Sequence, residues 1–200
     1  DDLYGWNYAG KNNDIRDGNG HGTQVAGVIG AAVDNGQGIA GLCWGCKLMF
    51  VNAMQPGGIA NYSDIARAVI YASSNGAQVI NLSLGGYADS AVLADAIREA
   101  ATTAVIVGGA GNDDSGAPFY PAAYPEVLAV AATDENDQKG IFSNHGPWVD
   151  LTAPGANILT TVVGGSYAPE SGTSLATAYV AGLAGLIKSQ HPLWTPAQIK

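Results

Sequence analysis

Short unbroken apolar runs alternate along this chain with longer stretches whose apolar positions recur every three or four residues. The runs 47–53, 79–83, 104–107 and 127–131 read as buried strands, and 148–151 as a shorter extended piece. Between them lie helical patterns. Residues 23–32 form a loosely periodic stretch of small and β-branched residues. Ser63 stands where it can cap a helix reaching Asn75, with Ile65, Ala66, Val69, Ile70 and Ala72 on one face. A second amphipathic helix covers 91–101. The stretch 174–189 is rich in small residues that permit close packing against a sheet. Residues 1–20 are rich in Asn, Asp and Gly and read as irregular loop. This strand–helix alternation predicts an α/β fold, a three-layer α/β/α arrangement around a mostly parallel central sheet. Near the end, Thr195-Pro196 is a helix start cut after a few residues. Residues 1–200 therefore read as one domain, truncated at both ends.

A length of 200 residues with 47% hydrophobic content suffices for one sizeable core. Seventeen acidic against eight basic side chains give a formal charge of −9, which disfavours nucleic acid and anionic membrane surfaces as partners. No apolar stretch reaches the roughly 20 residues needed to span a bilayer, and no basic segment followed by an apolar one opens the chain. The expectation is a mature soluble protein, or a piece of one, with any export signal already gone. Cys43-Trp44-Gly45-Cys46 leaves three readings open: a local disulfide, two buried thiols or a redox pair.

Chemistry enters with His21 and Ser174. A serine hydroxyl becomes an effective nucleophile when a base takes its proton, and histidine is the usual base. In Gly172-Thr173-Ser174-Leu175-Ala176 the serine sits at a helix start, where unpaired amides and the helix dipole favour developing negative charge. Asn112 follows an apolar strand in Gly111-Asn112, at the place where a carboxamide can donate to an oxyanion. Each feature alone also fits a cap, a solvated loop or a turn.

Taken together they resemble a known set. Gly20-His21-Gly22-Thr23-Gln24-Val25-Ala26-Gly27 and Gly172-Thr173-Ser174-Leu175-Ala176 resemble the histidine and serine blocks of the subtilisin-like serine peptidases, the subtilase family. Asn81-Leu82-Ser83-Leu84-Gly85-Gly86, Ala110-Gly111-Asn112 and Thr152-Ala153-Pro154-Gly155 recur between them in family order. The resemblance implies a subtilisin-like fold and a serine endopeptidase that cleaves extended polypeptides through an acyl-enzyme. In it His21 is general base and acid, Ser174 the nucleophile, and Asn112 with the Ser174 amide forms the oxyanion hole. The alternative is a noncatalytic peptide-binding or structural domain that retains the scaffold.

The family order is Asp, His, Ser, and the family's aspartate ends a strand before Thr-Gly or Ser-Gly. No such strand occurs here. Asp1-Asp2-Leu3-Tyr4-Gly5-Trp6-Asn7-Tyr8 resembles the loop after that aspartate, so the acid is expected upstream of Asp1, on a separate N-terminal fragment if the parent protein is nicked. Asp14 and Asp17 are poorly placed to substitute. In subtilisin, loss of the acid costs on the order of 10⁴ in turnover, so this chain alone should be slow or inert. Gln24 stands where a second histidine is frequent, a change expected to leave the mechanism intact and to alter mainly local packing or hydrogen bonding.

The resemblance also implies binding sites. Gly58, Ile59 and Ala60 with Ser83, Leu84 and Gly85 would hold an extended peptide by main-chain bonds. Tyr62, Ile65 and Leu84 would line an apolar pocket for the fourth side chain before the cut, with Gly109, Ala110, Gly111 and Phe119 walling the adjacent one. Phe119 replaces the smaller residue of many relatives. No cofactor is needed for chemistry, but structural calcium is implied. Val33, Gln37 and Ile39 carbonyls with the Asn35 side chain suit oxygen-only coordination, and Asn7, Asn12, Asp14 and Asp17 would build a second cluster. The family resemblance implies secretion.

Overall fold

A computed structural model describes residues 5–55 and 57–200; the first four positions of the stretch read as following the aspartate lie outside them. Four parallel strands form the central sheet in the order β3-β4-β5-β6: Val79–Leu82, Val105–Gly109, Val127–Thr133 and Leu151–Pro154. Strand β4 is buried along its whole length, which is why it reads as an unbroken apolar run. Its side chains alternate between two cores. Ile106 packs with α2 (Tyr62–Ser74) and α3 (Ala91–Ala100), through Ile65, Val69, Leu93 and Ile97. Val105 and Val107 face α4 (Thr173–Gln190) through Ala176, Val180, Ala181 and Ala184. Helix α1 (His21–Gly30) joins α4 on that side through Val25, Val28, Leu175 and Ala178. The expected three-layer α/β/α architecture is present.

Several boundaries differ from the sequence reading. The expected buried strand over 47–53 shrinks to β2 (Phe50–Asn52), which is only partly covered. Its parallel partner is β1 (Gly5–Asn7), inside the stretch read as loop. That pairing joins segments more than forty residues apart, so no local pattern announces it. Helix α2 begins before Ser63, because Asn61 takes the extended N-cap conformation and its carbonyl accepts from Asp64 and Ile65. The last central strand starts at Leu151 rather than Trp148, since Val149 N–H closes a turn onto the Gly146 carbonyl. Helix α5 (Pro196–Ile199) follows the Thr195-Pro196 signal with a full capping box.

An antiparallel hairpin of β7 (Ile158–Val162) and β8 (Ser166–Glu170) went unread in the sequence. Gly164 and Gly165 turn it, with φ of 98° and 78° that a side chain would strain. Two threonines bolt the hairpin to α1: Thr160 Oγ1 donates to the Gln24 carbonyl at 2.6 Å and Thr161 Oγ1 to that of Thr23 at 2.7 Å. Cys43 and Cys46 are joined as a disulfide, which closes the three-way choice.

One edge of the fold bears on the site. Among the described residues β3 has no partner on its outer side and β2 none beyond β1, yet α2 packs against both strands. Asn81, on β3, has a buried side-chain oxygen with no hydrogen-bond donor.

Candidate active site

The candidate residues converge where α1, α4 and the ends of β3 and β4 meet. His21 opens α1, and its placement depends on Asp17. Asp17 accepts from the amides of Asn19 (3.0 Å), Gly20 (2.6 Å) and Thr23 (2.7 Å) and from the Thr23 hydroxyl (2.7 Å). It thus serves the unpaired amides at the helix start. Burial alone would raise the Asp17 carboxyl, but these bonds together hold it below its ordinary value. The same bonds commit Asp17 to the amides at the helix start. Burial lowers the His21 pKa, and the nearby Asp17 charge only partly opposes this. The neutral, base-competent imidazole is therefore favoured at neutral pH. Its ring has no hydrogen-bond partner among the described residues.

Ser174 lies in the first turn of α4. Its hydroxyl donates to the Ser83 carbonyl at 3.4 Å, and Ser83 Oγ donates to the Ser174 carbonyl at 2.9 Å. Asn112 sits just beyond β4 and is held by one end: its Oδ1 accepts from Thr173 N–H at 2.8 Å. That leaves Nδ2 as a free donor. Asn112 Nδ2 and Ser174 N lie 3.6 Å and 3.7 Å from the point where a Cβ on Gly172 would stand, so both donors border one small volume beside the nucleophile. Two donors flanking one point can stabilise an oxyanion.

His21, Ser174 and Asn112 line a single cleft of about 540 Å³. Gly58 and Ala60 form part of one wall and Ser83, Leu84 and Gly85 part of another. Tyr62 and Ile65 of α2 close one end, and Gly111 and Phe119 lie beside Asn112. Ile59 is the exception. It does not line the cleft, and it is 68% exposed. Asn19, Met54, Asp113 and Thr173 also line the cleft and were missed. Thr173 and Asp113 are direct neighbours of Ser174 and Asn112, a signal that was available; Met54 carried none.

The metal candidates separate into two groups. Residues 32–40 curve around a hollow of about 310 Å³, and Asn35 Oδ1 accepts from Gln37 N–H at 2.9 Å with one lone pair to spare. A carboxamide oxygen of this kind suits a hard cation. The second set is tied up internally. Asn7 Nδ2 donates to the Asp14 carbonyl and Asn12 Oδ1 accepts from Asp14 N–H. The Arg16 guanidinium grips the Asp14 carboxylate and, through these hydrogen bonds, holds its pKa down to about 2. With Asp17 committed to α1, these four side chains do not present one shared oxygen cluster. Gln24 Nε2 donates to Glu170 Oε1 at 2.9 Å, a local hydrogen bond of the kind expected.

Comparison with known proteins agrees with this geometry. The model described as "Subtilase family" matches residues 1–200. The chain is 44% identical over 189 residues to a thermophilic serine proteinase of Bacillus sp. (strain AK1), covering 94% of this chain and 47% of that one. It is 42% identical to Subtilisin Savinase of Lederbergia lenta, covering 92% of this chain and 69% of that one. Several relatives are matched over only about half their length. The crystal structure of a cold adapted subtilisin-like serine proteinase superposes with a TM-score of 0.91 at 33% identity, over 98% of this chain and 71% of that one. With the family model matched from end to end and the site residues gathered in one cleft, the chain belongs to the subtilase family.

Proposed function

We propose that this chain carries the nucleophile, base and oxyanion hole of a serine endopeptidase acting on extended polypeptides. The observation that carries this reading is the pairing of two free donors, Asn112 Nδ2 and Ser174 N, beside the Ser174 hydroxyl. Ser174 Oγ forms a bond to the peptide carbonyl carbon while His21 takes its proton, and the carbonyl oxygen becomes an oxyanion held by those donors. Collapse breaks the C–N bond, with His21 returning the proton to the leaving amine. Water, deprotonated by His21, then hydrolyses the acyl ester. A peptide threaded between 58–60 and 83–85 is held by main-chain bonds, with Tyr62, Ile65 and Leu84 favouring an apolar side chain.

The orienting acid would arrive on a strand between β2 and β3. Such a strand would join the two parallel sheets under α2 and offer Asn81 the donor it lacks. Calcium, bound by the 33–39 loop, would stiffen the fold without entering the chemistry. The disulfide suits an oxidising compartment, and the −9 charge suits a protein that avoids polyanions. No helix of the described residues is long and apolar enough to cross a membrane. Secretion fits these features.

The test is cleavage of an unfolded protein by the chain supplied with an Asp-bearing strand. Loss of cleavage in both Ser174→Ala and His21→Ala is expected. Peptide binding without cleavage by the wild type would favour the noncatalytic reading.

A further inference from the structure

Taking the peptidase reading as given, we infer that Phe119 plugs the pocket for the side chain immediately before the cut, so that the site accepts only small residues there. Two segments flank the nucleophile. Ser83 exchanges hydrogen bonds with Ser174, and Gly111 N–H donates to Thr173 Oγ1 at 3.2 Å. In the peptidase reading, the space between 83–85 and 109–111, beside Ser174, receives the side chain of the residue under attack. Each wall carries a glycine, Gly85 on one and Gly111 on the other, which without the ring would leave room for a large side chain. Here the Phe119 ring fills that room. A Cβ on Gly85 would stand 2.5 Å from Phe119 Cε1, and one on Gly111 3.1 Å from Cδ2 and Cγ. The ring thus reaches from wall to wall.

It is also pinned. The Tyr87 ring packs edge-on at 5.1 Å, and Tyr87 OH donates to Asp113 at 2.7 Å while accepting from Asn144 Nδ2 at 3.2 Å. Asn144 is fully buried, its Oδ1 accepting from the amides of Asp113 and Ser115 and its Nδ2 also donating to the Ala110 carbonyl. Tyr120, the next residue after Phe119, exchanges two backbone bonds of 2.8 Å with Gly86, so the backbone carrying the ring cannot withdraw. Filling the space between Gly85 and Gly111 with a fixed aromatic ring converts a deep slot into a shallow one.

The test is binding of the product peptides Ala-Ala-Pro-Ala, Ala-Ala-Pro-Leu and Ala-Ala-Pro-Phe, with free carboxylates, followed by NMR titration of the wild type and Phe119→Ala. The expected result is roughly tenfold preference for the Ala peptide over the Phe peptide in the wild type, and reversal in the variant. A wild type that binds all three alike, or prefers Phe, overturns the inference without need of the variant; an unaltered ratio in a folded Phe119→Ala protein does the same. Labelling of Ser174 with a small fluorophosphonate bearing no side chain is measured in parallel, with the Asp-bearing strand present. Failed labelling with an intact Ala preference would sink the peptidase reading and leave the pocket assignment standing.

Discussion

At Gly172 the absence of a side chain keeps the space between Asn112 Nδ2 and Ser174 N open. A methyl there would make only ordinary contacts, at 3.6 Å or more, and φ of 163° is extended backbone that alanine adopts. Gly172→Ala should therefore fold normally and lose turnover, by roughly the 10²–10³-fold seen in subtilisin when one oxyanion donor is removed. Equal turnover in a folded variant would move the oxyanion elsewhere. His21 makes a second residue-scale prediction. Burial lowers its pKa below the ordinary 6.5, and the neutral form is the base. Reactivity of Ser174 should thus fall only as pH drops through a midpoint below 6.5, and an acid docked beside the ring should move that midpoint upward. A pH profile of labelling rate checks both signs. His21, Ser174 and Asn112 were legible because each sits in a short motif of fixed order. Met54, which also lines the cleft, sits in no such motif and was not legible.

Helix α1 is the element on which the base depends, and Asp17 is what starts it. Removing the four bonds that Asp17 accepts should destabilise the fold by about 1–2 kcal/mol, the usual range for losing a helix cap, and Asp17→Ala read by denaturant midpoint tests this. The pH sign follows from its depressed pKa. The stabilisation is present above the ordinary carboxylate value and lost as pH falls through the lower folded value, because the unfolded chain then binds the proton first. An Asp17→Ala protein should accordingly show a weaker dependence of stability on acid. The elements that sequence revealed, α2, α3, β3, β4, β5 and α4, are those whose partners cover them on one or both faces and so impose a period. Strand β1 and the trimmed β2 were obscure because a three-residue pairing across more than forty residues imposes none. The β7–β8 hairpin had a signal in Gly164-Gly165 after the β-branched run 158–163, but Ser166–Glu170 has no β-branched residue and the buried Thr160 hid the apolar alternation.

On the scale of the whole molecule, β2 and β3 each keep one edge without a strand partner among the described residues, and the Asn81 side-chain oxygen lacks a donor there. A synthetic strand ending in Asp-Thr-Gly should bind there and raise the reactivity of Ser174, by up to the order of 10⁴ that the acid contributes in subtilisin. The same peptide with Asn in place of Asp should bind and give little gain. Distances within the cleft follow from this architecture, since α1 and α4 on one side and the ends of β3 and β4 on the other bring residues 21, 112 and 174 together. The most direct measurement is the intact mass of the chain after treatment with a fluorophosphonate, alone and with the Asp-bearing strand. The account predicts one adduct on Ser174, accelerated by the strand, slowed in His21→Ala and absent in Ser174→Ala. No adduct on Ser174 even with the strand bound would contradict it.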